Sequence, residues 1–545
     1  MSLAKSTIAI DFGTTNSVVY LNKGKTMEYV PAGNYGMTQG TAMFPSFVEY
    51  TETKVNVGKL AKNNFGKKKK FVVAAVKRII GQTYEEYEKM KDKSIFGCEV
   101  VKGDDGYPYF VVNDNGKTVS PVEVASELFK VMKQEADTLG GRCFTQAYVT
   151  VPANFKDHQC KAIKKAAEIA GLKVLKLITE PTAAAMSWCF DNADKLGTGE
   201  NMIVYDFGGG TFDVSLVQYK GGKKFLVRNV DGNPNLGGND VDSAILDHMV
   251  KKCERTSGVD VSEKVKSRKH RSSLRSSCET AKIIITNQCQ YDDDENTFLN
   301  NNSKVIFPIY FSKRGPDVDC TTRDLNDAIR KKVEETVDIT IRMMEKEKLM
   351  VGNIRYVMLV GGSSHLHLIK QLIHKKFIHS KFPIMNLNEA VAIGAMKFLM
   401  SDSDPNSHEN VEEKIVISYG LQTSSNEVAL ILKRGEIIPA LSEEKVFTLM
   451  KDYMEDIHTA IYQWEGDPSD STKVHMVSRI PCVPKKDCTR VAKLVFKNKF
   501  PKRRNEQQLA MQFILDVGGT LQVICKDKKE NEVLLMKDYS VHGEI

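Results

Sequence analysis

Long apolar runs, a leader-type N-terminus and paired cysteines are all missing from this chain of 545 residues. The N-terminal MSLAKSTIAI has no apolar core beside a cleavage site, and no later run approaches the roughly 18 apolar residues that a spanning helix needs. These absences predict that the protein is neither secreted nor membrane-bound. We therefore expect a cytoplasmic location and no membrane partner.

The eleven cysteines are scattered, and none forms the CxxC pairs that are typical of zinc sites. An odd number without such spacing is best explained by reduced thiols in a reducing compartment. Cys482 and Cys488 lie close together in one predicted loop, where two free thiols are a better explanation than a metal site. The net charge of +8 is modest for this length, so charge alone does not indicate nucleic acid.

What the sequence does contain is a regular alternation of strand and helix patterns up to about residue 400. Runs such as QAYVTVP and RYVMLVGG have the composition of buried strands, and PVEVASELFKVMKQEAD has a helical period. The polar, acidic stretch SDSDPNSHENVEE cannot bury a core and indicates a boundary. Strands with glycine or aspartate turns follow it. We predict an α/β domain over 1–400, a boundary and linker over 401–418, and a β domain over 419–545.

One motif occurs twice, as IDFGTTNSVVY at residues 10–20 and YDFGGGTFDVSLV at residues 205–217. In each copy an apolar strand delivers an aspartate, Asp11 or Asp206, and a turn of small and hydroxyl residues follows. Such a turn exposes backbone N–H groups that can cradle phosphate oxygens, and the aspartate can hold Mg²⁺ or its waters. We predict that the two turns face each other and clamp nucleotide phosphates. Their residues are Gly13, Thr14, Thr15 and Asn16 in the first turn and Gly208, Gly209, Gly210 and Thr211 in the second.

A single copy of this motif could equally be an ordinary glycine hairpin, but its repetition favours the phosphate interpretation. Protein kinases also hold magnesium with Asp-Phe-Gly, yet the GxGxxG loop, the VAIK strand and the HRD loop of kinases are missing here. Two further glycine pairs, Gly237–Gly238 and Gly361–Gly362, mark places where the backbone must approach a ligand closely.

Together with AVKRIIGQ, VTVPANF, LITEPTAAA, NLGGNDVD and MLVGGSS, these motifs resemble the 70-kDa heat-shock protein (DnaK-type) chaperone family. The likeness runs in order from about residue 7 to 400 and continues less closely beyond. It implies an α/β actin-like ATPase domain of two duplicated ribonuclease-H-like lobes, followed by an all-β sandwich domain. It also implies a slow ATPase and chaperone that uses ATP/ADP and Mg²⁺, with K⁺ as a further candidate cofactor.

The resemblance further implies roles for individual residues. Asp11 and Asp206 would hold Mg²⁺ through water, and Lys77 would meet the γ-phosphate and the attacking water. Glu180 and Asp213 would orient that water and the metal shell, while Thr211 would be both catalytic and phosphate-binding. Outside these motifs, Lys77 would be one more solvated lysine and Glu180 a helix N-terminal residue; within them we favour the functional roles.

The adenosine side of the site matches the family only in part. Glu279, Lys282 and Thr286 recur at helical spacing on one face and would contact ribose and adenine. The family's arginines are replaced by Ile283 and His365, and its aspartate by Asn388. Isoleucine cannot stack on a purine as a guanidinium does, so we predict loose nucleotide binding. The predicted contacts on this side are completed by Gly237, Gly238, Gly361, Gly362 and Ser363.

The linker and the β domain depart further from the family pattern. In EKIVISYG, Lys414 stands where the family has its first linker leucine, and Ile415, Val416 and Ile417 keep the apolar run. Ser424 replaces the residue that arches over bound peptide, and no helical segment remains after MKDYSVHGEI to form a lid. We therefore expect unfolded or nascent polypeptide to be held only briefly. From resemblance alone, Pro152 would relay the signal, and Lys176 would meet a J-domain co-chaperone; a nucleotide exchange factor is a further expected partner.

Residues 485–504 are strongly basic, with Phe496 and Phe500 between the charges. Such a segment could track phosphates and stack on bases, or it could be a solvated loop around a strand; both interpretations remain open. Lidless family members resemble subunits of ribosome-associated chaperone complexes, which makes the ribosome a candidate partner. The alternative to a hydrolysing chaperone is thus a regulatory co-chaperone for which ATP is mainly structural, and a small-molecule kinase is a distant third.

Overall fold

The computed structural model describes residues 6–24, 26–67, 70–153, 155–257, 265–289, 305–308, 317–403, 410–415, 417–423, 426–464, 466–504, 506–515, 520–540 and 543–544. The chain divides into two units. The first comprises Met1–Phe155, Ala162–Lys223 and Val230–Glu409, and the second comprises Lys156–Lys161, Lys224–Asn229 and Asn410–Ile545. The structure is mixed α/β with several sheets. No helix in the described ranges is both long and apolar enough to cross a membrane.

The first copy of the repeated motif begins in the central strand of one sheet in the first unit. Thr7–Asp11 pairs in parallel with Gln146–Val151 on one side and antiparallel with Asn16–Asn22 on the other. Because the strand ends at Asp11, the chain turns back over Phe12 to Thr15 to enter its hairpin partner. The remaining strands of this sheet are Lys173–Thr179, Met27–Tyr29 and Met43–Pro45.

The second copy begins in a strand with the same kinds of neighbours. Asn201–Phe207 pairs in parallel with Ile354–Val360 and antiparallel with Phe212–Gly221, and Lys224–Asn233 follows in strand order. Both motif strands therefore have a parallel neighbour on one side and a hairpin partner on the other. This shared order agrees with the duplication expected from the resemblance, and the two-lobe layout itself stays a prediction.

Helices and short sheets complete the part that surrounds the motifs. Capping explains several helix ends: Ser120 and Glu123 form a capping box at the start of Pro121–Gly140, and Gly141 in a left-handed conformation ends it. In the described ranges the other helices are Lys59–Asn64, Tyr84–Glu88, Asp157–Ile169, Glu180–Cys189, Gly238–Ser257, Arg268–Cys289, Thr322–Lys346, His367–Lys376 and Ala390–Asp402. The short sheets are Thr118–Val119 with Pro108–Val111 and Val100–Lys102, Val55–Val57 with Val48–Tyr50 and Phe71–Val73, and Val305–Pro308 with Asp317–Cys320.

A buried core fixes the second motif from behind. Tyr205, Phe207 and Phe212 are fully buried in one apolar cluster with side chains of the helices Gly238–Ser257, Arg268–Cys289 and Thr322–Lys346. Burying three large aromatic side chains contributes several kcal/mol. The apolar flanks of the motif thus anchor its polar turn to a rigid base.

The second unit contains two antiparallel six-stranded sheets that contribute to one apolar core, which includes Leu432, Ile461, Leu494 and Phe513. The first sheet has the order His475–Val477, Ile480–Pro484, Glu427–Leu432, Ser418–Gln422, Asp456–Trp464 and Thr489–Lys497. The second has Ala440–Leu441, Gln508–Leu515, Thr520–Asp527, Glu532–Ser540 and Gly543–Glu544, with Lys445–Thr448 also paired to Gln508–Leu515.

Part of the predicted linker lies in this second unit. Asn410–Lys414 is a strand that pairs antiparallel with Ile437–Ile438 and parallel with the beginning of Lys224–Asn233. Ile415 is buried in the core of the two sheets. Val416 and Ser424, which the sequence singled out, lie outside the described residues.

The basic segment 485–504 is a short 3₁₀ turn, Lys485–Asp487, followed by the strand Thr489–Lys497 and a loop. Phe496 points into the core and is 8% exposed, so it cannot stack on a base. Three lysines of its second half form ion pairs: Lys497 with Asp456 at 2.9 Å, Lys499 with Glu532 at 2.6 Å and Lys502 with Glu530 at 2.6 Å. Three of the nine Lys and Arg side chains of this segment are therefore neutralised locally.

Candidate functional site

The two glycine-containing turns lie face to face within the first unit. A methyl group placed on Gly209 would collide with the hydroxyl of Thr15, and one on Gly210 would collide with the hydroxyl of Thr14. The second turn therefore needs glycine at these positions because the first turn approaches so closely. The contact brings two threonine hydroxyls and two glycine backbones to one place, although the turns are about 195 residues apart in the chain.

Hydrogen bonds to its carbonyls hold the second turn. The Gly208 oxygen accepts from the Gly238 amide at 3.0 Å and from the Ser363 hydroxyl at 2.8 Å. The Gly209 oxygen accepts from the Asn239 amide at 2.8 Å. The two other glycine pairs also lie against the second motif. A methyl on Gly237 would lie 2.5 Å from the Gly210 carbonyl carbon, and a methyl on Gly361 would lie 2.5 Å from Asp206 Oδ1. All four glycine segments thus meet at one site.

Three buried carboxylates, the half-buried Asp11 and one buried lysine lie next to the turns. Asp206 and Asp213 lie directly opposite each other across two antiparallel strands. Glu180 begins the helix Glu180–Cys189 and forms a buried ion pair with Lys77. Asp11 accepts a hydrogen bond from the Thr150 hydroxyl at 2.9 Å. The cluster therefore carries more acidic groups than basic ones.

Burial and mutual repulsion raise the pKa values of these aspartates. Burial, followed by the charge of Glu180, raises the pKa of Asp11 to about 6 and that of Asp213 to about 7. The pKa of Asp206 is raised well above its usual value by burial and by Glu180, Asp213 and Asp11. Only Lys77 offsets this negative charge within the cluster, so a bound cation would favour the ionised carboxylates.

The residues present fit a magnesium ion held through water. By strict hydrogen-bond geometry, neither carboxylate oxygen of Asp213 has a partner among the residues that the structure describes, although both are buried. The Thr211 hydroxyl and the Ala153 backbone are near enough to lower the pKa of Asp213, but burial outweighs them. A hydrated cation would supply the missing donors. In the same described ranges, no set of three or more His, Cys, Asp or Glu side chains is arranged as direct metal ligands. Asp11 and Asp206 are thus better placed to bind waters of the ion than to enclose it.

Lys77 reaches the cluster because of an unusual backbone conformation. It lies in the 3₁₀ turn Val76–Arg78, and the residue before that turn, Ala75, has a left-handed φ of 52°. A residue other than glycine pays about 1 kcal/mol or more for this conformation. The Lys77 side chain is 3% exposed, so it is a buried lysine and not a solvated one.

One predicted adenosine residue, Glu279, lines a narrow crevice next to the first turn. Thr14, Thr15, Lys62 and Arg275 also line it. Glu279 forms an ion pair with Lys62 at 3.0 Å, and Lys282 forms one with Asp242 at 2.7 Å. A methyl group on Gly238 would lie 3.5 Å from the Lys282 amine, which places this lysine beside the glycine turns.

The other predicted adenosine residues are Thr286, Ile283, His365 and Asn388. The Thr286 hydroxyl is buried and has no hydrogen-bond partner in the part of the chain that the structure describes. Ile283 is exposed on the same helix. His365 ends the short 3₁₀ turn Gly362–His365 and is half-buried. Asn388 is exposed, and its Oδ1 atom would lie 3.3 Å from a methyl group placed on Gly362.

Several contacts at the site were not predicted. Thr150 holds Asp11, and Lys62 and Asp242 neutralise Glu279 and Lys282. Ser17 and Ser46 bind the backbone of the first turn. Three of these residues had a signal in the sequence: Ser17 directly follows the GTTN turn, Thr150 lies in VTVPANF and Asp242 ends NLGGNDVD. Ser46 and Lys62 come from segments without a motif of their own.

Two residues with roles implied by the resemblance, Pro152 in signal relay and Lys176 in docking of a J-domain co-chaperone, have clear surroundings in the first unit. Pro152 is buried at the end of the strand Gln146–Val151. Lys176 forms an ion pair with Asp402 at 3.0 Å and lies over the ring of Phe398 at 4.0 Å. The Tyr148 hydroxyl donates to the same Asp402 carboxylate at 3.0 Å. Lys176 is therefore engaged at the end of the helix Ala390–Asp402.

A family model described as Hsp70 protein matches residues 7–537. Members of this family are ATP-binding chaperones and ATPases that use ATP/ADP with Mg²⁺ and work with J-domain proteins, nucleotide exchange factors and unfolded substrates. Because the match covers nearly all of the 545 residues, the resemblance of the motifs is confirmed: the chain belongs to the Hsp70 family.

Proposed function

We propose that the first unit of this chain binds MgATP across the two facing turns and hydrolyses it to ADP and phosphate. The observation that carries the proposal is the contact of Gly209 and Gly210 with Thr15 and Thr14 beside the buried carboxylates and Lys77. Turns with free backbone amides and hydroxyls bind phosphate oxygens, and the opposed turns can contact them from two sides. The site residues keep the roles that the resemblance implied.

The chemistry needs positioning and charge neutralisation, with little covalent work from the protein. When bound, Mg²⁺ would neutralise phosphate charge, and Asp11 and Asp206 would hold its waters. Lys77 provides a buried positive charge beside Glu180, where it can approach a phosphoryl oxygen and the attacking water. Asp213 has two unpartnered oxygens with which to orient water. Thr211, which follows the three glycines, can donate its hydroxyl to a phosphate.

The purine end supports the proposal of loose nucleotide binding. Ile283 is exposed and offers no planar group for stacking. Lys282 and Glu279 are already paired with Asp242 and Lys62, so contacts with ribose must compete with these ion pairs. K⁺ as a further cofactor stays a proposal from the family resemblance alone.

As a family member the chain is a chaperone, and we propose that ATP controls weak polypeptide binding by the β domain through the linker. J-domain and nucleotide exchange partners and a cytoplasmic location are likewise proposed. A regulatory co-chaperone that holds ATP as a structural ligand is the second candidate. Two departures from the family pattern favour it, the replacement at Ser424 and the loosened purine end.

A ribosome or another acidic partner is proposed for the basic segment 485–504. Arg503 and Arg504 support it, since they are exposed and make no ion pair with the described residues. Reversing the charge of both should weaken salt-sensitive association with ribosomes, whereas reversing Lys499, which is paired with Glu532, should matter less. Association that ignores salt and both reversals would contradict the proposal.

Gly209→Ala tests the phosphate clamp directly. The added methyl occupies the space next to the Thr15 hydroxyl, so we expect ADP affinity to fall at least tenfold in calorimetric titration with Mg²⁺. Gly352→Ala is the matched control, because a methyl there meets no atom within 4 Å. Equal ADP affinity in both variants and the wild type would contradict a clamp formed by these turns.

A further inference from the structure

Two buried serines bind the backbone of the first turn at Gly13. Ser17 lies in the hairpin strand Asn16–Asn22, and Ser46 directly follows its antiparallel neighbour, Met43–Pro45. The Gly13 amide donates to Ser17 Oγ at 3.2 Å, and Ser46 Oγ donates to the Gly13 carbonyl at 2.8 Å. The two hydroxyl oxygens are 3.0 Å apart. Ser17 is 0% and Ser46 1% exposed, so water does not replace these bonds.

The geometry allows only one order of protons in this group. Ser46 has a single hydroxyl proton, and it is used in the bond to the Gly13 carbonyl. The contact between the two hydroxyls must therefore be a donation from Ser17 to Ser46. A closed ring results: the Gly13 N–H donates to Ser17, Ser17 to Ser46, and Ser46 to the Gly13 C=O. Each bond in such a ring polarises the next.

A second contact extends the ring to the phosphate-facing part of the turn. The Ser46 amide donates to the Thr15 carbonyl at 2.8 Å. With the Gly13 peptide groups and the Thr15 carbonyl bound to serines, the backbone of the turn from Gly13 to Thr15 cannot move without breaking these hydrogen bonds. The hydroxyls of Thr14 and Thr15, which this backbone carries, lie next to Gly210 and Gly209 of the opposite turn.

We propose that Ser17 and Ser46 are positioning residues that set the first turn for nucleotide phosphates through this hydrogen-bonded ring. The inference rests on the proposed function, because it assigns the turn a phosphate ligand. The simpler interpretation is that two core serines satisfy each other and stabilise the hairpin. The two accounts differ in which ligands they affect: positioning concerns phosphate-bearing ligands, whereas hairpin stability concerns every ligand and the fold itself.

Calorimetric titration of the full chain with ADP and with adenosine separates them. Ser46→Ala removes one donor and leaves the Gly13 carbonyl unpaired, so we expect about tenfold weaker ADP binding and unchanged adenosine binding. Ser126→Ala is the control, since Ser126 is a buried serine whose hydroxyl donates to the Glu123 carbonyl within a helix of the same unit. It should bind both ligands as the wild type does.

A double variant tests the ring itself. Because either substitution opens the ring, Ser17→Ala with Ser46→Ala should weaken ADP binding by little more than the stronger single change. Ser46→Cys keeps a weak donor, should fold where alanine does not, and should give an intermediate ADP affinity. Equal losses for ADP and adenosine, unchanged ADP affinity in folded Ser46→Ala or Ser46→Cys, or strictly additive losses would overturn the inference. Failure of the wild type to bind ADP would instead overturn the proposed function.

Discussion

At the scale of single residues, Ile283 offers the simplest test of the purine side. Its side chain is 47% exposed on the helix Arg268–Cys289. A guanidinium at this position could stack on adenine, which is worth about 0.5–2 kcal/mol. We therefore expect Ile283→Arg to tighten ADP binding by about tenfold in calorimetric titration, with little change in the phosphate end of the site.

The neighbouring residue provides the control for this substitution. Ile284 is 40% exposed on the same helix, so Ile284→Arg adds the same charge nearby without the expected stacking geometry. Its ADP affinity should match that of the wild type. If both arginines tighten binding equally, the effect is one of general charge and the account of the purine end is wrong.

Single residues also show how far the sequence could predict the site. Asp11, Asp206 and the glycines next to them were predictable because each motif encodes a strand, a turn and their order within about ten residues. Ser46 and Lys62 were not, because they reach the site through tertiary contacts from separate segments. No local pattern in FPSFV distinguishes Ser46 from a core serine, and only the hairpin register reveals its role.

At the scale of elements, the start of the helix Thr322–Lys346 depends on the charge of Asp324. This residue completes a capping box with Thr321 and pairs with Lys252 at 2.7 Å and His248 at 3.2 Å. Burial opposes the charge, but the hydrogen bonds from Lys252 and Thr321 outweigh burial and lower the pKa of Asp324 to about 2. A lowered pKa stabilises the fold above about pH 4, and this contribution is lost as the pH falls through about 2.

Asp324→Asn should therefore lower the free energy of unfolding by about 1–2 kcal/mol near pH 7. The deficit relative to the wild type should shrink between about pH 4 and pH 2, in urea unfolding followed by circular dichroism. Asp327→Asn changes an exposed carboxylate of the same helix and should have little effect. A deficit that is equal in both variants, or constant with pH, would speak against the assigned charge interaction.

Elements with a strong pattern could be predicted from the sequence, whereas their environments could not. The run PVEVASELFKVMKQEAD has a helical period, and the structure has the helix Pro121–Gly140 there. Ser120, directly before the run, and Glu123, within it, cap this helix. The apolar run after Lys414 predicted a linker, which stays a prediction, and Ile415 of this run is buried in the core of the two sheets. An apolar side chain favours burial, but the sequence around it does not show in which core the side chain is buried.

At the scale of the whole molecule, the sequence predicted an α/β region followed by a β region. Strand and helix patterns alternate up to about residue 400, and strand patterns alone follow. The interpretation of the basic segment could not be decided in the same way. The neutralisation of its lysines depends on partners such as Glu532, in the strand Glu532–Ser540, and Glu530, in the turn that precedes it. Charge pairing between strands is a property of the folded sheet, and composition does not reveal it.

The whole-molecule question that matters most is whether nucleotide is hydrolysed or only bound. A hydrolysing chaperone needs the buried Lys77 and the carboxylate cluster to act on a phosphoryl group. A regulatory co-chaperone with structural ATP needs only the two turns. The two accounts predict the same ADP binding, so an equilibrium titration cannot separate them.

Single-turnover hydrolysis of ATP, with enzyme in excess over nucleotide and Mg²⁺ present, separates them directly. We predict that the wild type converts bound ATP to ADP and inorganic phosphate, and that Asp206→Asn and Lys77→Met slow this step by at least about 100-fold. Asp231→Asn, outside the cluster, should react like the wild type. Bound ATP that stays intact in the wild type, or equal rates in the wild type and Asp206→Asn, would contradict the account.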